Sequence, residues 1–415
     1  MAQATAAPRA QASEDRTDRR AVFGWSLFDL ANSVSSVIVV TSTFPLWFHA
    51  SGGSDGMLGV AKSSAETLAL LCALPLGLAI DRSNRRVVPL LILTAIGVGA
   101  MALMGIISIP AVLALYVITI WSLHLGQLVY ESMLPDVSGP RNRGRISGIG
   151  ISLGYLGSFV GLFIEAGVLR GGAPPDRAFQ AGALGFALLS LPIFLWVRER
   201  PRHPASDDLL PADGRVSTLL APLRGNQPLA RLVVARLIYA TASTTIVAFG
   251  AIYAAAAVGL DRNQTRLTIM LVTLVGAIAA LIWGRVTDTI GYRTGLMIAL
   301  ANWVIGFALM AAVPLLALPT SVYWLSMVFI GIAFGTTLTS ERPLIVALSR
   351  PGQTGQTFGL FSMTTRTAAI IGPLLWALIA EWIGLGRPAA VIALAVLAAV
   401  AMAIAWTVRE PARPR

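Results

Sequence analysis

A short charged pattern occurs twice in this chain, 207 residues apart, which is half of its 415-residue length. The first copy reads Gly77-Leu78-Ala79-Ile80-Asp81-Arg82-Ser83-Asn84-Arg85-Arg86, and the second Gly284-Arg285-Val286-Thr287-Asp288-Thr289-Ile290-Gly291-Tyr292-Arg293. Each copy stands where a long apolar run ends. A constant offset between glycines and between aspartates points to an internal duplication, and duplicated bundles are how many membrane carriers build a central site. A chain of this kind must fold as two similar halves, not around one continuous core.

Composition places those halves in a bilayer. The chain is 56% hydrophobic and only 12% charged, against about 25% charged for a soluble domain, and its mean hydropathy is +0.74. About 20 apolar residues make one spanning helix. Twelve such runs fall between turn signals, at 21–48, 57–80, 87–108, 111–134, 146–169, 178–197, 229–258, 264–283, 295–315, 320–347, 355–384 and 388–408. They predict an all-α membrane protein with two six-helix bundles, 21–197 and 229–408. Short tails flank them at 1–20 and 409–415, and a polar, proline-containing linker spans 198–228.

Lys and Arg set the expected orientation. With the first residue inside, 22 of the 31 basic residues fall on inner segments, six on outer loops, and three inside helices. Both tails are therefore expected on the cytosolic side of a cytoplasmic (inner) membrane. The four arginines of residues 1–20 lack an adjoining short apolar core with a cleavage site, so a cytosolic tail is expected there, not a signal peptide. The net charge of +11 is spread over inner loops, which fits a topological signal and no nucleic-acid partner. One cysteine, Cys72, allows no internal disulfide, and His49, His124 and His203 are too scattered for a metal cluster. No cofactor is expected.

The family resemblance rests on further residues. The charged repeat itself is similar to the loop signature between the second and third helices of each half in the major facilitator superfamily. Trp25-Ser26-Leu27-Phe28-Asp29-Leu30-Ala31-Asn32-Ser33 and Thr43-Phe44-Pro45 open the first run. Leu134-Pro135-Asp136, Arg143-Gly144-Arg145-Ile146-Ser147-Gly148 and Leu153-Gly154-Tyr155-Leu156-Gly157 frame the fifth. Ala235-Arg236-Leu237-Ile238-Tyr239 and Phe249-Gly250-Ala251-Ile252-Tyr253 belong to the seventh. Together, from about Trp25 to Pro373, they resemble the "unknown major facilitator" family, relatives of the autophagy-related vacuolar amino acid effluxer. That resemblance implies a twelve-helix secondary transporter and an amino acid-like solute. Three departures fall at positions where the family would meet its solute. Ala240, Thr241 and Ala242 replace an acid and a glycine after Tyr239; Thr336, Thr337, Thr339, Ser340, Glu341, Arg342 and Pro343 replace a Gln and Ser-Arg-Ser run; and Arg366 replaces a lysine.

Ionisable residues inside a bilayer cost a few kcal/mol each and mark cavities or partners. Asp29, Glu131, Arg236, Glu341, Arg342 and Arg366 lie inside the runs. Two acids in the first half and three arginines with one acid in the second suit a gate, structural pairing, or direct contact with solute and proton. Asp29, Asn32, Tyr239, Thr241, Arg342 and Arg366 are the expected solute-binding residues. Asp29, with Glu131 next, is the expected coupling acid, because a carboxylate reached alternately from two faces can take up and release a proton. Asp81, Arg82, Arg85, Arg86, Arg236, Asp288, Arg293 and Glu341 are expected to govern switching. His124, midway along the fourth run, is a relay candidate or a histidine bonded between helices. Gly150/Gly154 and Gly157/Gly161 are small-residue pairs that let helices approach closely.

The function that follows is proton-coupled efflux of a small polar or amphiphilic solute, amino acid-like, by a monomer in the lipid bilayer. A lipid-like or aromatic solute, and a non-transporting assembly factor of the same fold, are the alternatives. An enzyme is disfavoured, since the sequence carries neither a nucleotide-binding motif nor a nucleophile constellation.

Overall fold

The computed structural model describes residues 18–41, 43–52, 55–83, 85–104, 109–170, 176–200 and 221–411. Among these every regular element is helical. Twelve long helices carry the fold: α1 Arg19–Ser36, α2 Asp55–Ser83, α3 Val87–Leu103, α4 Ile109–Ser132, α5 Arg143–Arg170 and α6 Asp176–Trp196, then α7 Gln227–Ala256, α8 Arg262–Ile290, α9 Tyr292–Leu315, α10 Thr320–Leu348, α11 Thr354–Ala377 and α12 Gly386–Trp406. Eleven segments are long and apolar enough to span a bilayer, and α3, with 17 residues, is the shorter twelfth. At 1.5 Å per residue α3 still reaches about 26 Å.

The first, eighth and eleventh runs differ from the sequence expectation, the eleventh because α11 passes after Ala377 into a π-helical turn, Leu378–Trp382. The first is interrupted: α1 stops at Ser36, Val37–Thr41 form a π-helical turn, and a separate helix covers Thr43–Ala50. Five consecutive β-branched residues crowd the preceding turn, and Pro45 lacks the N–H that would bond back to Thr41. The eighth run is longer than its apolar stretch, because α8 continues through the charged pattern to Ile290. It stops at Gly291, whose φ of 100° is a conformation glycine adopts without strain.

The chain divides into two compact units. One comprises Met1–Leu210 with Pro351–Gly359 and Pro414–Arg415, and the other Pro211–Arg350 with Leu360–Arg413. Residues Pro351–Gly359, placed by sequence with the second bundle, thus belong to the first unit, and α11 begins in one unit and continues in the other. The packing order repeats. In the first unit α1 packs on α6, α3 on α6 and α4, and α2 on α4; in the second α7 packs on α12, α9 on α12 and α10, and α8 on α10. Residues 201–220 of the expected linker lie outside the described residues.

In the first unit α1 also lies along α5. A side chain at Gly157 would strike the backbone of Leu30, and one at Gly161 would strike that of Val34. Here the glycines permit backbone-to-backbone approach, which is how small residues serve helix packing in lipid. Trp25 and Tyr130 stack at 4.5 Å, and the Trp25 indole donates to the Tyr130 carbonyl at 3.1 Å. The aromatic pair ties α1 to α4.

Candidate functional site

The first unit holds two of its intramembrane acids around one amide. Asp29 on α1 is buried, and Gln127 on α4 donates through Nε2 to Asp29 Oδ1 at 3.4 Å and to Glu131 Oε1 at 3.2 Å. Asn32, one turn after Asp29, donates to Gln127 Oε1 at 3.1 Å. A methyl group at Gly154 would come within 3.2 Å of the Asp29 carboxyl carbon, so α5 must be bare there for Asp29 to sit as it does. Asp29, Asn32 and Glu131 are thereby joined by Gln127, a residue the sequence reading did not single out. Its signal was present: 127 and 131 are i and i+4 on one helix face.

The second unit gathers a different set. Arg236 on α7 pairs through Nη1 with Glu341 on α10. Its Nε donates to Thr364 Oγ1 at 2.9 Å, and its Nη2 to Thr365 Oγ1 at 2.8 Å. The guanidinium also lies 4.9 Å over the Phe361 ring. Tyr239 completes the cluster by donating its hydroxyl to the second oxygen of Glu341. Three helices, α7, α10 and α11, meet on one buried ion pair with bonds on both partners, which is the arrangement a buried charge requires.

Other expected solute contacts fall differently. Thr241 is buried and donates to Leu237 O at 2.8 Å on its own helix. Along α10, Thr336, Thr337, Thr339 and Ser340 each bond a carbonyl one turn back. Thr337 and Ser340 also accept the indole N–H groups of Trp303 and Trp283. The hydroxyl-rich run is therefore satisfied by the helix and by tryptophans, leaving Glu341 and the buried Arg342 as its ionisable members. Arg366 stands on α11, half-buried.

The charged repeat lies at helix ends. Asp81 is buried at the end of α2 and accepts from the backbone N–H groups of Gly355 at 2.9 Å and Gln356 at 2.7 Å, at the start of α11. A carboxylate there satisfies orphan donors and faces the positive end of the helix dipole. Asp288 accepts the Tyr292 hydroxyl at 3.1 Å. Arg82 and Arg85 are exposed, whereas Arg86 is buried. A second repeat, unnoticed in the sequence, completes each end. Glu199 accepts from the backbone of Arg86 and Val87 at the start of α3, and Glu410 accepts from Tyr292 and Arg293 at the start of α9. Arg293 also donates to the Trp406 carbonyl and lies 5.1 Å over that ring. The signal was Val197-Arg198-Glu199 against Val408-Arg409-Glu410.

One ionisable residue inside a run was also missed. Glu66 lies inside α2, where its Oε1 is 3.2 Å from His124 Nε2 on α4.

Comparison with known proteins agrees with the architecture. The family described as "Vacuole effluxer Atg22 like" matches residues 136–412. A Bacillus subtilis protein described as an uncharacterized MFS-type transporter, YxiO, is 21% identical over 384 residues, covering 87% of this chain and 88% of that protein. The solved human organic anion transporter MFSD10 superposes with a TM-score of 0.72 at 19% identity, over 93% of this chain and 99% of that one. The fucose:proton symporter FucP of E. coli gives a TM-score of 0.72 at 12% identity, over 94% and 98%. At these identities the structures speak to fold alone. Two bundles with a repeated packing order, membrane-length helices and a family match over more than half its length together show that the chain belongs to the Atg22-like vacuole effluxer family, as a secondary transporter of the major facilitator superfamily.

Proposed function

We propose that this transporter exports a small polar, amino acid-like solute across the cytoplasmic membrane, driven by the proton gradient. The observation that carries the reading is the Asp29–Gln127–Glu131 cluster, two carboxylates sharing one neutral donor inside the spanning region. A protonated carboxyl keeps a carbonyl oxygen that accepts the amide N–H, so each acid can gain a proton without losing its bond to Gln127. A membrane-embedded acid facing a partner of this kind is a functional group by default. Gly154 and Asn32 hold the cluster in place, and Asp29 is the acid that couples proton movement to the cycle. Asp81 and Asp288, at helix ends, govern switching between states. The protein works as a monomer with both ends cytosolic. In a Cys72→Ser background, a cysteine at Leu316 should react with an impermeant thiol reagent from outside, and one at Ser83 should not.

The test is uptake by proteoliposomes of a tritiated amino acid mixture with and without an imposed pH gradient. Asp29→Asn should abolish gradient-driven accumulation yet permit exchange, because an amide mimics the protonated acid and cannot release its proton. Retained accumulation in that variant removes Asp29 as the coupling acid, and a wild type indifferent to the gradient removes proton coupling altogether.

A second reading, an anionic solute, is favoured by the buried Arg342 and half-buried Arg366; MFSD10 is itself described as an organic anion transporter. A guanidinium binds a carboxylate through two parallel hydrogen bonds that an ammonium cannot reproduce. With benzoate as probe, Arg366→Lys should then weaken affinity by about 1–3 kcal/mol, and near-normal affinity excludes the reading.

A further inference from the structure

His124, Gln127 and Glu131 stand at i, i+3 and i+7 on α4 and so form one stripe along its face. One end of the stripe is the carboxylate cluster described above. At the other, His124 Nε2 meets Glu66 Oε1 of α2 at 3.2 Å, with the two side chains 26% and 19% exposed. Neither group belongs on an apolar span without a reason, since each is costly in a bilayer. The pair can keep its hydrogen bond in either state of the histidine. A neutral imidazole donates one N–H to the carboxylate, and an imidazolium forms an ion pair with it. Histidine is also the side chain whose ordinary charge change falls between about pH 5 and 8. Protein covers the Glu66–His124 pair less completely than the Arg236–Glu341 pair, whose side chains are 11% and 4% exposed.

We propose that the Glu66–His124 pair is the proton-loading site of the transporter, supplying protons along α4 to the Asp29–Glu131 cluster. The inference rests on the proton-coupled reading given above. In the transfer the imidazolium N–H bond breaks, the imidazole returns to neutral, and the proton ends on a carboxylate oxygen of Asp29 or Glu131, with no change in oxidation state. Seven residues separate His124 from Glu131, about 10 Å along the helix, so water bridges the span. Gln127 holds the receiving acids without itself carrying a proton. Lys62 lies one turn before Glu66 on α2 and is exposed. Tyr116 on α4 is close enough to interact electrostatically with Glu66. Among the other elements packed on α2 and α4, α1 brings Arg19, Arg20 and Asp29, the short helix Leu134–Val137 brings Asp136, and neither α3, Val37–Thr41 nor Pro351–Gly359 brings a charged side chain.

Two measurements on the full chain test the assignment. With three histidines in the sequence, the nitrogen spectrum of histidine-labelled protein in nanodiscs has one imidazole that His124→Gln removes. That signal should report a protonation change between about pH 5 and 8, and Glu66→Gln should displace it. In proteoliposomes carrying the tritiated amino acid mixture, His124→Gln and Glu66→Gln should each lower gradient-driven accumulation by roughly tenfold or more, the scale of one pKa unit. His49→Gln and His203→Gln serve as controls at wild-type levels. Size-exclusion profiles check that each variant is folded. A His124 signal that stays constant across that range overturns the inference. So does accumulation within about twofold of wild type in both variants while Asp29→Asn abolishes it, an outcome that leaves the proton-coupled reading standing. A wild type without gradient dependence overturns both.

Discussion

The two units use the same device at their helix ends and different chemistry in their interiors. In the first, Glu199 caps α3, and in the second Glu410 caps α9, each by accepting two backbone N–H groups. Inside, the first unit holds two carboxylates on Gln127, while the second locks Arg236 to Glu341 with Tyr239, Thr364 and Thr365 around them. The contrast separates what a duplicated bundle must keep from what it can change. Orphan N–H groups at a helix start need an acceptor wherever that helix occurs. Interior charges answer only to their local partners, and there the contacts of the two halves differ.

The largest test of that contrast is Arg236→Ala. Leaving Glu341 buried without its partner should cost about 3–5 kcal/mol, whereas replacing the pair together by Met and Leu should be close to neutral. Unfolding in detergent measures both. Equal stability in Arg236→Ala and wild type means that water reaches Glu341 and that the pair is not sealed.

Packing gives the next effect. Side chains at Gly157 in the first unit and Gly335 in the second would strike the backbones of Leu30 and Gly276. Alanine at either should destabilise by about 1–3 kcal/mol. At the exposed helical Gly99, which has nothing within 4 Å, alanine should instead stabilise by up to about 1 kcal/mol. Similar values at all three positions contradict the assignment of close approach.

The caps sharpen the likeness between halves. Glu199→Ala and Glu410→Ala should each cost about 1–2 kcal/mol, as expected for a lost cap, and the two values should agree within about 0.5 kcal/mol. A large cost at one and none at the other breaks the equivalence. The smallest effect is expected at Thr241, whose hydroxyl is already bonded to Leu237 O. Valine should change stability by less than about 0.5 kcal/mol, since a shape-matched apolar replacement is nearly neutral. A large loss of transport with stability intact places the hydroxyl in the solute path instead.

Much of the helix inventory was readable because hydrophobic length is a property of local sequence. A run of about 20 apolar residues has no alternative to helix in a bilayer, since every backbone group must be satisfied internally. The breaks were less readable. The π-turn at Val37–Thr41 depends on β-branched crowding combined with Pro45, and α8 passes its apolar end because charged residues can continue a helix into water. Gln127 escaped notice because amides are common on helices and carry no charge to betray them. Glu66 is a plainer omission, an acid within an apolar run whose signal was visible.

By itself the sequence determined the twelve apolar runs, the duplication and the helix-end aspartates, all of which follow from hydropathy and spacing. Only the tertiary structure decided which ionisable groups meet: that Asp29 and Glu131 share Gln127, that Glu66 reaches His124, and that Glu199 and Glu410 close α3 and α9. Between separate segments these contacts join residues 58 to 118 positions apart. Periodicity along one helix fixes a side chain's face but not its partner, which packing alone supplies.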